Sequence, residues 1–380
     1  MIKIKSNELK KVLGKLNTAI ERSAFNPQSA WAKITVSGDK AVVETTNFDY
    51  YVKIDVAVEN EDNETLVAIV EAETLIPLVS KIDDEYVSIE TTNSALILNT
   101  DNNHYTFPFQ STAETKDLDV IDFNKDAFYD YTSTSFTGKE VASLANVNAK
   151  GFDGSVVFKR TFQQFVFVDN VGAITFTDNI YINSFKETGK PYFAMLLNKT
   201  QCQILSIFSD CERVLMCKEF SDDETKKCKV KFNCDGIEVV FIIQPAEITA
   251  QFPSMKLRDV SNKTLSTHVV IDRNTLNKAL ARLMVFDKKF GSNILDYSKI
   301  EWGEKSAKFV SVKSKNYEII PYVSSQNAFE HESIIRFADL VDRLKAFTSK
   351  EIDISYGDTP AIVLNADELK QLVPEIVKKN

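Results

Sequence analysis

What the 380 residues lack sets the first bounds. No apolar run reaches the roughly 18 residues of a spanning helix, which excludes a helical membrane protein. The opening MIKIKSNELK alternates charge from its third residue, unlike a secretory leader, so the chain is expected in the cytoplasm with no membrane partner. Glycine (11) and proline (9) are too few for a collagen-like or low-complexity chain. Histidine occurs three times, at His104, His268 and His331, far apart. The five cysteines (Cys202, Cys211, Cys217, Cys228, Cys234) are odd in number and contain no C-x₂-C pair. That spacing excludes a disulfide framework and argues against a zinc site, so neither metal nor cofactor is expected. No Gly-rich phosphate loop, H-E-x-x-H or G-x-S-x-G is present, and no enzyme activity is assigned.

What is present is 44% apolar residues with 26 Phe, the composition of an ordered, strand-rich protein large enough for two or three domains. Net charge is −9, from 54 acidic and 45 basic residues. An acidic average does not exclude nucleic acid, because a binding surface is set by the local field.

The basic residues are not scattered at random. NELKKVLGKL (Asn7–Leu16) recurs as NTLNKALARL (Asn274–Leu283) with half its positions identical. At 100° per residue, Leu9, Val12, Leu13 and Leu16 form one apolar stripe and Lys11 and Lys15 face away from it. Leu276, Ala279, Leu280 and Leu283 repeat the stripe, with Lys278 and Arg282 in the places of the two lysines. Ser6 and Asp272 are expected N-caps. A third copy, FTGKEVASLAN, carries a Thr137/Glu140 capping box and the stripe Val141, Leu144, Ala145. It has Ser143 and Val147 where the other copies have cations.

Other marks share the spacing. TTN (Thr45–Asn47), TDN (Thr177–Asn179) and SKN (Ser314–Asn316) each follow a strand-like run and precede another. A second helix follows in each copy, at EAETLIPLVSKI, LNKTQCQILSIF and RFADLVDRLKAF. YVSIETTNSALILN then matches EIDISYGDTPAIVLN as a hairpin of alternating residues. The expected architecture is α+β: three tandem repeats at 1–115, 128–258 and 266–380, joined by the polar segments QSTAETKDLDVID and RDVSNKTLST.

Three such repeats, with NKALARLMVFDKKFG in the third, TDNIYI in the second, FPSM at Phe252–Met255 and the tail QLVPEIV, together resemble the bacterial sliding clamp, the beta subunit of DNA polymerase III. The resemblance covers the whole chain and rests on the order and spacing of these pieces. It implies a homodimer of head-to-tail subunits closed into a ring, with helices lining a central hole and sheets outside. Lys10, Lys11, Lys15, Arg22, Lys139, Lys199, Lys278 and Arg282 are then expected to face enclosed double-stranded DNA without sequence specificity. The subunit junction is expected to join Val285 and Phe286 to the edge strand HYTFPF, whose Tyr105, Phe107 and Phe109 alternate. A DNA polymerase, the clamp loader and other partners are expected to dock peptides in a groove formed by Thr177, Asn179, Tyr181, Ile182, Pro253, Leu372, Val373 and Pro374.

Two departures from the family pattern bear on that groove. After Thr-Asp the family has Gly-His-Arg-Leu where this chain has Asn-Ile-Tyr-Ile, and the ending Met-Pro-Met, basic residue, Leu is replaced by VPEIV with KKN beyond it. They fit a diverged clamp with its own polymerase, such as one carried by a phage or mobile element. The rival reading is a clamp-fold adaptor that never encloses DNA, consistent with the missing cations of the middle helix.

Overall fold

The computed structural model describes residues 2–21, 26–110, 117–121, 128–129, 135–148, 162, 165–176, 180–184, 192–219, 223–261, 265–289, 297–311, 314–345, 347–366 and 369–376. They form two compact units, one of residues 1–145 with 189–250 and one of residues 146–188 with 251–380.

In the first unit, strand Ile2–Lys5 lies inside a five-stranded antiparallel sheet ordered Glu59–Asn60, Ile2–Lys5, Tyr86–Thr91, Ala95–Asn99, His104–Pro108. It runs directly into helix Ser6–Leu16. The helix buries Leu9, Val12, Leu13 and Leu16, the expected stripe, against Lys40–Thr46, Tyr50–Ala57 and helix Ala72–Val79. Each large apolar side chain so buried contributes about 1.5–3 kcal/mol. Ser6 is not the N-cap. The strand continues to Lys5, which occupies the cap position in extended conformation, and the Ser6 amide donates to the Glu85 carbonyl at 2.9 Å. The first amide of the helix is thus satisfied by a backbone acceptor from outside it.

That bond recurs in all three repeats. The Gly138 amide, opening helix Gly138–Asn148, donates to Cys211 O at 2.9 Å, and the Arg273 amide, opening Arg273–Lys289, donates to Lys350 O at 2.8 Å. Each acceptor lies just beyond the repeat's second helical segment: Ala72–Val79, Lys199–Ile204 continued as Leu205–Phe208, and Phe337–Leu344. The other caps stand as read. Asp272 accepts from the Thr275 amide at 2.7 Å and hydroxyl at 2.8 Å, and Thr137 and Glu140 exchange both bonds of a capping box. Asn198 and Gln201 form a further box that the sequence reading missed.

The middle stretch completes the sheets of both its neighbours. Ile237–Ile243 pairs with Tyr50–Ala57 from Ile237↔Ile54 to Phe241↔Tyr50, inside a sheet ordered Phe128–Tyr129, Val214–Glu219, Cys228–Cys234, Ile237–Ile243, Tyr50–Ala57, Lys40–Thr46, Trp31–Ser37, Leu66–Glu71. In the second unit, Ile180–Ser184 pairs with Leu369–Pro374 in the run Val166–Asp169, Gly172–Phe176, Ile180–Ser184, Leu369–Pro374, Ala361–Ala366, Glu351–Ser355, His268–Asp272, Ser324–Gln326. A four-stranded sheet, Tyr317–Pro321, Ser306–Ser311, Ser298–Trp302, His331–Ile335, completes that unit. Continuous backbone ladders are why the chain groups as two bodies. Among the described residues no helix is long and apolar enough to cross a membrane.

Candidate nucleic-acid interface and docking sites

The cations separate into exposed and engaged sets. Lys11 and Lys278, at matching positions on matching helices, are both exposed. At the second matched position both copies meet an acid. Lys15 Nζ lies 3.5 Å from Asp210, its side chain 15% exposed, and Arg282 makes a two-pronged pair with Glu318 at 2.7 and 2.9 Å. Those bonds push the Glu318 carboxyl below, and the Arg282 guanidinium above, their ordinary ranges. Lys10 is 3.9 Å from Asp83. Lys139 and Lys199 are exposed in the first turns of their helices. Arg22 lies outside the described residues. Asp83, Asp210 and Glu318 were missed because they lie 36 or more residues from the cations they hold.

Of the expected groove, the structure brings strand Ile180–Ser184 beside the C-terminal strand, with Tyr181↔Gln371 and Ile182↔Lys370 in register. Thr177 and Asn179, and the side chains of Tyr181 and Ile182, lie outside the described residues. Leu372 (3% exposed) and Val373 (0%) are buried. Their strand pairs with Ala361–Ala366 along its length and packs against helix Phe337–Leu344, which encloses these two successive side chains. Pro374 is exposed and Pro253 half-buried. Next to Pro253, Phe252 stacks on Phe167 at 4.8 Å, and Arg258 of helix Ser254–Ser261 binds the buried Asp169 through two 2.7 Å bonds. These contacts hold the segment around Pro253 to strand Val166–Asp169.

The residues expected at the subunit junction divide similarly. Among the described residues His104–Pro108 ends its sheet, with Ala95–Asn99 as its one strand neighbour. Phe107 is 4% exposed and belongs to the core, since it faces the covered side of the sheet. Tyr105 is half-buried and lines a depression of about 330 Å³ with Pro77, Leu78, Lys81 and Ile82. Phe109 is half-buried and bridged to Val70. In the second unit Val285 is 65% exposed, while the Phe286 side chain lies outside the described residues. Tyr317–Pro321 is another sheet end and exposes Tyr317 and Ile319, each 57%. The alternation YEIIP signals a strand, but nothing local signals that it ends a sheet.

None of the five cysteines forms a disulfide, and burial pushes the Cys202 thiol up and that of Cys234 up to about 12. No metal-binding cluster occurs among the described residues.

Comparison with solved structures returns DNA polymerase III beta subunits. That of Thermotoga maritima is 16% identical with TM-score 0.75 and full coverage of both chains. That of Borrelia burgdorferi, solved with a natural product, is 13% identical with TM-score 0.76, covering 100% of this chain and 99% of its own. The chain has the fold of a bacterial DNA sliding clamp. The beta subunit of Streptococcus pyogenes superposes as fully, with 99% of each chain covered, TM-score 0.72 and 15% identity. Residues 1–119 also match the family profile of the DNA polymerase III beta subunit, N-terminal domain. No curated protein matches the chain. The clamp fold is thus present from end to end, with little of the sequence shared.

Proposed function

We propose that the protein is a sliding clamp: two copies, each of three repeats at 1–115, 128–258 and 266–380, close into a ring around duplex DNA and tether a replicative polymerase. It acts as a processivity factor rather than an enzyme. The observation that carries this reading is the pair Lys11 and Lys278, exposed at matching positions on matching helices. Contacts of a few lysines with phosphates are sequence-independent and weak, as a ring that must slide requires. Lys139 and Lys199 supply from the middle repeat the charge that its first helix lacks at mid-length. Closure joins the free edge His104–Pro108, with Tyr105 above its depression, to the exposed Val285, Tyr317 and Ile319 of a second copy. Partner peptides, including those of the polymerase and clamp loader, dock beside Pro253, Pro374 and the TDNIYI strand.

The adaptor reading is favoured by one observation, the engagement of Lys10, Lys15 and Arg282 by acids. Retention on DNA separates the two. A clamp loaded on nicked circular DNA stays bound through gel filtration and is lost when the circle is linearised. An adaptor shows no difference between the two forms.

A further inference from the structure

The resemblance places a methionine where this chain has Glu375, directly after the C-terminal strand Leu369–Pro374. The substituted carboxylate is not on the open surface: its side chain is 13% exposed. A carboxylate taken that far from water is stable only with hydrogen-bond donors or a cation beside it. The structure supplies both. The Trp302 indole N–H donates to Ser333 Oγ at 2.8 Å, which leaves the Ser333 hydroxyl to donate to Glu375 Oε1 at 2.7 Å. Trp302 and Ser333 are buried, 3% and 0% exposed, so this chain is shielded from competing water. On the other side, His331 Nε2 is buried without a hydrogen-bond partner, 3.7 Å from Glu375 Oε2. That gap is too long for a hydrogen bond and short enough for an ion pair once the imidazole is charged.

We infer that Glu375 is the positioning residue of the C-terminal docking segment, held by Ser333 and His331, and that protonation of His331 tightens the hold. The inference rests on the proposed docking site only for its functional meaning. The backbone shows what is held: Glu375 N–H donates to Pro360 O at 2.9 Å and Ile376 N–H to Ile334 O at 2.8 Å, turning the tail back onto strand His331–Ile335. Pro374, one residue before, is fixed as a result. The His331 ring lies nearly parallel to Tyr356 (5.8 Å, 20°) and 5.8 Å from Phe329, and aromatic faces attract a cation.

Charged groups around His331 have separate duties. Glu332, next on the strand, pairs with Lys299 at 2.6 Å, which strand Ser298–Trp302 supplies. The Tyr356 and Tyr322 hydroxyls are pushed up by burial and stay neutral through the range in which histidine titrates. Glu375 is the carboxylate that answers His331.

Amide hydrogen exchange of the Ile376 region tests this on the full chain, without any partner. In wild type, protection corrected for intrinsic rates falls on the order of tenfold between pH 5.5 and 7.5, as a partly buried charge-assisted pair is lost. Glu375→Gln keeps a hydrogen bond to Ser333 but removes the charge, so its protection is flat with pH. His331→Gln is flat too. Ser333→Ala lowers protection at every pH while keeping the slope. An equal slope in wild type and Glu375→Gln overturns the inference, as does a flat wild-type profile. Peptide anisotropy with a standard bacterial clamp-binding peptide is measured alongside. Absent binding with an intact pH slope sinks the docking site and leaves the tail latch standing.

Discussion

Lys278 and Arg282 stand one turn apart on a single helix, yet their side chains meet different surroundings. Arg282 is fastened to Glu318, while Lys278 is exposed. Replacing Lys278 or Lys11 with alanine is therefore expected to lower the slope of DNA association against log salt by about 1 each. Arg282→Ala is expected to leave the slope nearly unchanged and stability little affected, since its pair is exposed. Titration of duplex binding at several salt concentrations checks both. Gly138 is a different kind of requirement. A Cβ there would sit 2.0 Å from the Phe208 carbonyl oxygen and 2.4 Å from that of Cys211, both rigid backbone atoms. Gly138→Ala must push apart the helix start and the turn that receives its amide, so thermal melts should show one of the larger losses of any single methyl addition, about 1–3 kcal/mol or more.

Among elements, the two end helices bury the predicted stripes residue for residue, because an amphipathic period is a local property that survives any tertiary arrangement. The hairpins, second helices and the Asp272 and Thr137/Glu140 caps were legible for the same reason. Ser6 was not, because its place is taken by a carbonyl 79 residues away, and Leu372 and Val373 were not, because a strand's two faces look alike until the covering helix is known. Phe107 shows the same limit: alternation gives two faces without saying which is open. The cap difference is measurable. Asp272→Ala should cost about 1 kcal/mol by denaturant unfolding, and Ser6→Ala much less. Thr275 bonds hold the Asp272 carboxyl below its ordinary range. Its contribution is thus complete above the unfolded-state value near about pH 4 and drains away as pH falls through the lower folded value. Asp272→Asn should remove that acid-side dependence and leave neutral-pH melts otherwise parallel to wild type.

At the level of the whole molecule, closure needs a second copy. Light scattering with size exclusion across a dilution series should give a mass near twice 42.9 kDa. Val285→Glu and Ile319→Glu change exposed side chains, so each should yield a monomer whose melting temperature stays close to the monomeric wild type. A dimer that persists in both variants would place the junction elsewhere. The repeat order was readable because three copies restate one pattern. The acids that engage half of its cations were not, because each is supplied by a distant part of the chain.

The ladder between Ile237–Ile243 and Tyr50–Ala57, and its counterpart between Ile180–Ser184 and Leu369–Pro374, carries a mechanical consequence. Adjacent repeats are joined by backbone hydrogen bonds inside continuous sheets, so pulling them apart means shearing several bonds at once. A free edge such as His104–Pro108 can be peeled from a partner one bond at a time. Within the chain the ladders are therefore welds, and in the proposed ring the seam between two copies is where load would be relieved first.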